Sequence, residues 1–324
     1  MKSFIKILVS IIALSTTACM AAYVPTNESN SQQAGVSLQL FYEQLSPYGT
    51  WVSYRDYGYV WIPNAGRDFS PYATEGHWVF TDFGWTWYSY YDWGWAPFHY
   101  GRWSHDDYYG WIWVPDTEWG PAWVSWRSGG GYYGWAPLEP GISISVVFGG
   151  MYQVPSDRWI FVRDRDIDRR KVYSYSVNRT SNTTIINNST VIQHTRPDRQ
   201  RNVNYIAGPD RDDVQKTTGK QIRQVAIQEH NRPGQNLSRN ELRIYRPQVQ
   251  RDENNGRKSV PLKIESLNNV KPVSERYEGR PQRNSNAGQM KGSPGRDMNQ
   301  SPQPTQPSQN KSRSDRPVKK KGKD

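Results

Sequence analysis

Three of the five histidines and a few carboxylates stand in the aromatic stretch of this chain and could bind a metal or move a proton. His77, His99 and His105 fall in one aromatic stretch, and His99 and His105 stand near Asp106 and Asp107. Imidazole and carboxylate together suit zinc, but the spacing matches no recognised ligand set. His77 takes a strand position that other copies of a repeat fill with Thr50 and Arg102. Paired carboxylates beside tryptophans would suit glycoside hydrolysis. Here Asp56, Asp82 and Asp106 recur in or near successive turns, and such repetition fits turn chemistry rather than a single active site. The aromatic stretch has no Gly-x-Ser-x-Gly, no phosphate loop and no cysteine. The expectation is a non-enzyme with no catalytic residue, no metal and no cofactor.

A second chemistry is open to aromatics combined with acids. Sugar rings lay their apolar C–H faces on Trp and Tyr while carboxylates accept hydroxyl hydrogen bonds, which extends the rule that sites are mostly apolar with few polar groups. The candidates are Tyr59, Trp61, Trp85, Trp87, Trp111, Trp113, Tyr133 and Trp135, with Asp82 and Asp106 nearby. Open rings make this a glycan platform. Buried rings make the chain a structural or assembly protein instead, with a basic tail that grips a polyanion. Glycan binding is the leading expectation.

The elements that position these residues come from an internal repeat. Gly49-x-Trp51 precedes Gly58-x-x-Trp61, Gly76-x-Trp78 precedes Gly84-x-x-Trp87, and Gly101-x-Trp103 precedes Gly110-x-x-Trp113. A looser fourth copy starts at Trp123, where Trp123-Val-Ser-Trp-Arg127 echoes Trp51-Val-Ser-Tyr-Arg55. The starting tryptophans lie 27, 25 and 20 residues apart. Each unit predicts two strands and a turn. The second strands put aromatics at i and i+2 on one face, whereas Val60 with Ile62, and Ile112 with Val114, occupy the other. The aliphatic face is expected to make the core. Pro63, Pro97, Pro115 and Pro137 mark strand ends. Trp93-Gly-Trp-Ala-Pro97 and Tyr133-Gly-Trp-Ala-Pro137 are near-copies and read as corners.

Leu45-Ser-Pro-Tyr-Gly-Thr-Trp51, Tyr57-Gly-Tyr-Val-Trp-Ile-Pro63, Trp93-Gly-Trp-Ala-Pro-Phe-His-Tyr-Gly-Arg-Trp103 and Tyr133-Gly-Trp-Ala-Pro137 resemble an uncharacterised family of exported bacterial proteins with Trp, Tyr and Gly-rich repeats of the YxWGxW kind. The resemblance covers roughly residues 38–165. It implies export and a β-rich domain of unknown function, and no activity.

Composition divides the chain. All 15 tryptophans lie between Trp51 and Trp159. Residues 36–160 carry a net charge of −7 and residues 161–324 a net charge of +17, so an acidic aromatic domain precedes a basic polar half. Lys2 and Lys6, the apolar run Ile7–Leu14 and the small residues through Ala22 predict a signal peptide over 1–22. Cys19 is the single cysteine and ends that run. It is either a lipidation site or discarded by cleavage near Ala21. Residues 163–170 read as a solvated linker. The segment Asn178 to Thr195 reads as one or two extended strands. Asp210 through Thr218 has helix-start character with Gly219 as a stop, and Ile222–Ile227 and Leu242–Tyr245 read as strands.

The predicted organisation is a signal peptide at 1–22, a Trp-rich β-repeat domain at 38–162, a partly ordered basic region at 163–250 and a disordered basic tail at 251–324. The fold class is all-β, with four tandem hairpin-like repeats in a twisted antiparallel sheet, sandwich or partial barrel, followed by a largely disordered basic C-terminal region. The expected location is extracytoplasmic: periplasm, outer membrane or cell surface of a bacterium. The expected partner is an envelope glycan or another anionic envelope polymer. No specific nucleic acid is expected, and no membrane contact beyond a lipid anchor on Cys19.

Overall fold

The computed structural model describes residues 35–251 and 258–277. The expected signal peptide, Cys19 and most of the basic tail lie outside the described residues. No helix among them is long and apolar enough to cross a membrane.

Strands dominate, and the four repeats are four antiparallel hairpins. The first pairs Gly49–Tyr54 with Gly58–Pro63, the second Gly76–Thr81 with Gly84–Ser89, the third Arg102–Asp106 with Gly110–Val114, and the fourth Val124–Gly129 with Tyr132–Pro137. Every hairpin sets one tryptophan directly opposite another: Trp51 and Trp61, Trp78 and Trp87, Trp103 and Trp113, Trp126 and Trp135. Cross-strand aromatic pairs stabilise such ladders. This register corrects the phase of the fourth copy. Trp126, not Trp123, is the counterpart of Trp51, so the first-strand tryptophans recur after 27, 25 and 23 residues.

The two glycines of each repeat have separate causes. Gly58, Gly84 and Gly110 open the second strands at φ of 71°, 90° and 74°, a region that favours glycine. Gly49 and Gly76 lie under an indole. A Cβ on Gly49 would stand 2.4 Å from the Trp61 ring, and one on Gly76 would stand 2.5 Å from the Trp87 ring.

The hairpins are dealt among several antiparallel sheets, none closed into a barrel. The first and third join through their second strands, with Trp61 opposite Trp113, into four strands. The second hairpin stands as a two-stranded sheet. The fourth is flanked by Ile160–Arg163 and Thr190–Val191. Indoles knit these sheets together: Trp78 lies 4.5 Å from Trp126 and 5.5 Å from Trp135. Tyr72 and Phe98 fill the centre, with the Tyr72 hydroxyl donating to the Phe98 carbonyl at 3.1 Å.

The aromatic faces turn inward, opposite to the expectation that the aliphatic face makes the core. They form the main core with Phe41, Leu45, Ile160 and Val162. Val52, Val60, Ile62 and Ile112 make a smaller cluster on the outer face of the joined sheet, covered by Leu267 and Val270. Both faces are apolar, and the larger one takes the interior because rings bury more area.

Several local readings change in the same way. Trp93–Pro97 is a turn, whereas its near-copy Tyr133–Pro137 is a strand. Only the second has partner strands, and Phe161 covers Gly134 so closely that no Cβ would fit. Residues 163–170 are no linker, because Ile167 enters the main core and Asp166 is buried against Arg169 at 3.0 Å. The expected strand at Ile185–Ile186 is a short helix, Asn182–Asn187, whose Ile185 packs on Trp159 and Phe161. The helix Arg211–Thr218 forms as read, capped by Asp210 accepting from Asp212 and Asp213 and ended by Gly219 at φ 66°.

The expected tail also differs. Residues 258–277 strap the outer face of the joined sheet: Glu265 donates to the Trp51 carbonyl at 2.9 Å and Val273 to that of Tyr108 at 2.8 Å. Few residues are needed, because Leu267 and Val270 meet a patch already formed. Residues 195–250 likewise clasp the aromatic core. Trp85 Nε1 donates to the Pro209 carbonyl, Tyr100 to that of Pro247, and Arg246 lies 4.4 Å above Trp119 and 4.8 Å above Phe83.

Candidate functional site

The proposed aromatic ladder is interior. Trp61, Trp87, Trp113 and Trp135 have no accessible surface, and Trp85 and Tyr133 are buried. Only Tyr59 and Trp111 are half-buried. Fourteen of the 15 tryptophans are buried, so the tryptophan ladder presents no row of rings to solvent. Three of the four second-strand indoles are anchored by their N–H groups: Trp61 donates to Leu45 at 3.1 Å, Trp113 to Tyr100 at 2.8 Å and Trp135 to Tyr72 at 2.7 Å, all to backbone carbonyls, whereas the Trp87 N–H has no acceptor. First-strand indoles at Trp51, Trp78, Trp103 and Trp126 have no such acceptor.

The two acids proposed beside the ladder serve turns and docking. Asp106 accepts from the backbone N–H groups of Tyr108 and Tyr109, both at 2.8 Å, and from the Tyr54 hydroxyl at 2.7 Å. It thus closes its own turn and ties the third hairpin to the first. Partial burial opposes ionisation of Asp106, but the Tyr109 N–H, the Tyr54 hydroxyl and the Tyr108 N–H outweigh it and hold the carboxyl below its ordinary range. The same contact pushes the Tyr54 phenol up to about 12, with burial and the charge on Asp106 adding to it. Asp82 accepts from Gln224 at 2.7 Å. The geometry does not bring Asp82 and Asp106 to one aromatic face.

The histidines are scaffold groups too. His99 is fully buried, stacked on Trp119 at 5.6 Å, with Nδ1 3.0 Å from the Gly120 carbonyl. A carbonyl only accepts, so Nδ1 carries the proton, and Nε2 has no partner. Burial pushes its pKa down to about 4. His77 meets the Tyr90 hydroxyl at 2.9 Å; burial and then Arg170 push it down to about 4. Burial, followed by Arg158, also lowers His105. Among the described residues no group of three His, Cys, Asp or Glu is placed to hold a metal ion.

A larger concavity than any beside the ladder acids lies on the second hairpin side of the molecule. A groove of about 840 Å³ runs between the second hairpin and the basic half, floored by His77, Trp78, Phe80 and Trp85. Arg170, Arg211, Arg223 and Arg239 line it, and Asp168 is its one acid. Asp168 is neutralised by Lys220 at 2.9 Å, and none of the four arginines forms an ion pair among the described residues. Arg211 bonds Gln224 and Arg223 bonds the Arg239 carbonyl; these contacts fix the guanidinium groups without cancelling their charge. Sequence reading missed this cluster because its members are spread over 70 residues. The one signal was the +17 of the second half. A smaller pocket of about 240 Å³ lies beside Trp111 on the joined sheet.

No curated protein and no solved structure matches the chain. Over residues 42–142, which take in the four hairpins and the turns between them, the chain matches a family of unknown function, DUF6600.

Proposed function

We propose that the chain is a non-enzymatic module of the bacterial cell envelope whose tryptophan repeats are framework and whose basic groove holds an anionic envelope polymer. The observation that carries this reading is the burial of the ladder together with four arginines without an ion pair in the groove among the described residues. A platform for neutral glycan needs open rings, and these rings are interior. Guanidinium forks instead match carboxylate and phosphate groups. The charged n-region, short apolar run and small residues before Ala22 support export, which puts the groove among envelope polymers. The burial of His77 and His99 and the turn contacts of Asp106 support a framework role for these groups rather than a catalytic one.

The test is binding of the full chain to polygalacturonate, with dextran as the neutral control. Arg170→Gln, Arg223→Gln and Arg239→Gln together remove exposed side chains and leave the core intact. By the counterion-release rule the triple variant lowers the slope of log affinity against log salt by roughly 2–3. Equal binding of dextran, or unchanged polyanion affinity in the triple variant, contradicts the reading.

A further inference from the structure

The smaller pocket shares no lining residue with the groove, so what it binds does not depend on the polymer reading. Four aromatic side chains, Phe69, Trp111, Tyr173 and Tyr277, bound its 240 Å³ volume. Trp111 is the one tryptophan of the chain that is not buried. His105 meets it edge-on at 5.1 Å, which fixes the ring. Three cations, Arg67, Arg179 and Arg276, face one acid, Asp68. None of these four takes part in an ion pair among the described residues.

The polar groups have unused capacity. Arg276 donates to the Tyr109 carbonyl through one terminal nitrogen, and its buried Nε has no partner. Arg179 reaches the Ser70 hydroxyl at only 3.5 Å, a weak use of a five-donor fork. A buried guanidinium N–H without an acceptor is costly, and an anion supplies the acceptor. The strap completes the pocket, because Val273, Arg276 and Tyr277 all come from it. Val273 lies 3.1 Å from where a Cβ on Gly110 would stand, and the Tyr277 hydroxyl holds the Pro63 carbonyl at 3.2 Å.

We propose that this pocket binds a single sugar ring carrying one anionic group, a carboxylate or a phosphate. Trp111 and its aromatic neighbours take the ring's C–H face, and Arg276 with Arg179 takes the anion. The volume is below the roughly 300–1,000 Å³ typical of larger ligands, which limits the occupant to about one ring.

The experiment is calorimetric titration of the full chain with glucuronate, glucose 6-phosphate, glucose and inorganic phosphate. Saturable binding of at least one anionic sugar is expected, with glucose and phosphate each at least tenfold weaker; which anionic sugar binds identifies the anion. Trp111→Leu and Arg179→Gln each weaken binding at least tenfold. Neither residue is in the strap, so loss of binding in them is not loss of the strap; unchanged thermal melts confirm their folding. The groove variant Arg170→Gln/Arg223→Gln/Arg239→Gln binds the monosaccharide as the parent does. The proposal is overturned by no saturable binding of either anionic sugar, by glucose or phosphate binding equally well, or by binding unchanged in both pocket variants.

Discussion

Acidification from pH 7 to pH 5 will destabilise this protein through its buried histidines. His99 and His77 are buried and neutral in the folded chain, each pushed from an ordinary 6.5 to about 4. Their folded pKa values lie below the unfolded ones, so between pH 6.5 and about 4 the unfolded chain holds protons that the folded chain does not. Stability is therefore full above pH 6.5 and falls progressively with acidification. At 1.36 kcal/mol per pH unit, each histidine costs about 2 kcal/mol between pH 7 and pH 5, or about 4 kcal/mol together. That is a large part of the 5–15 kcal/mol that ordinarily holds a domain. His105 adds loss of the same sign. Urea denaturation followed by tryptophan emission at pH 7, 6 and 5 measures it. His77→Gln/His99→Gln removes both titrations and flattens most of the dependence, although it lowers stability at pH 7. A parent whose stability is level from pH 7 to pH 5, or a double variant with the parent's slope, would refute the assignment of these rings as neutral core groups.

Further outcomes follow from packing. Gly49→Ala and Gly76→Ala push a methyl into the Trp61 and Trp87 indoles at about 2.4–2.5 Å, and each lowers the unfolding free energy by about 1–3 kcal/mol in urea titrations. Arg246→Met removes the cation stacked on Trp119 and Phe83 but leaves Glu229 its contact with Arg201 at 3.4 Å; the cost is about 1–2 kcal/mol and the fold is kept by circular dichroism. Val270→Ala thins the covering of Val52 and Ile112, and amide exchange at Glu265 and Val273 speeds up while exchange in the second hairpin does not change.

The hairpins were legible because each signal is local. Gly-x-Trp, an acidic or glycine turn and Gly-x-x-Trp specify strand, turn and strand within about 15 residues, and the same holds for Asp210 and Gly219 around their helix. The sides of the sheet were not legible. Alternation separates Trp61 from Val60 and Ile62, but with both faces apolar it does not say which is interior. Near-copies at 93–97 and 133–137 diverge because only the second has Trp126 and Phe161 as partners across the sheet. The phase of the fourth copy failed for a related reason: Val124 stands where the first three copies have glycine, so the glycine signal was missing. The arginine groove joins residues from Arg170 to Arg239 through packing, and no periodicity encodes that meeting. The strap escaped notice because two aliphatic side chains in a polar stretch look like composition until the patch they cover is known.

The most direct test of the central claim is iodide quenching of tryptophan emission in the native chain. With fourteen of 15 indoles buried, the quenchable fraction is small and belongs to Trp111, so Trp111→Phe abolishes it. Emission is blue-shifted, and a saturating neutral polysaccharide changes nothing. A quenchable fraction above about a third, or protection from iodide by that polysaccharide, would show an open aromatic ladder and contradict a tryptophan framework.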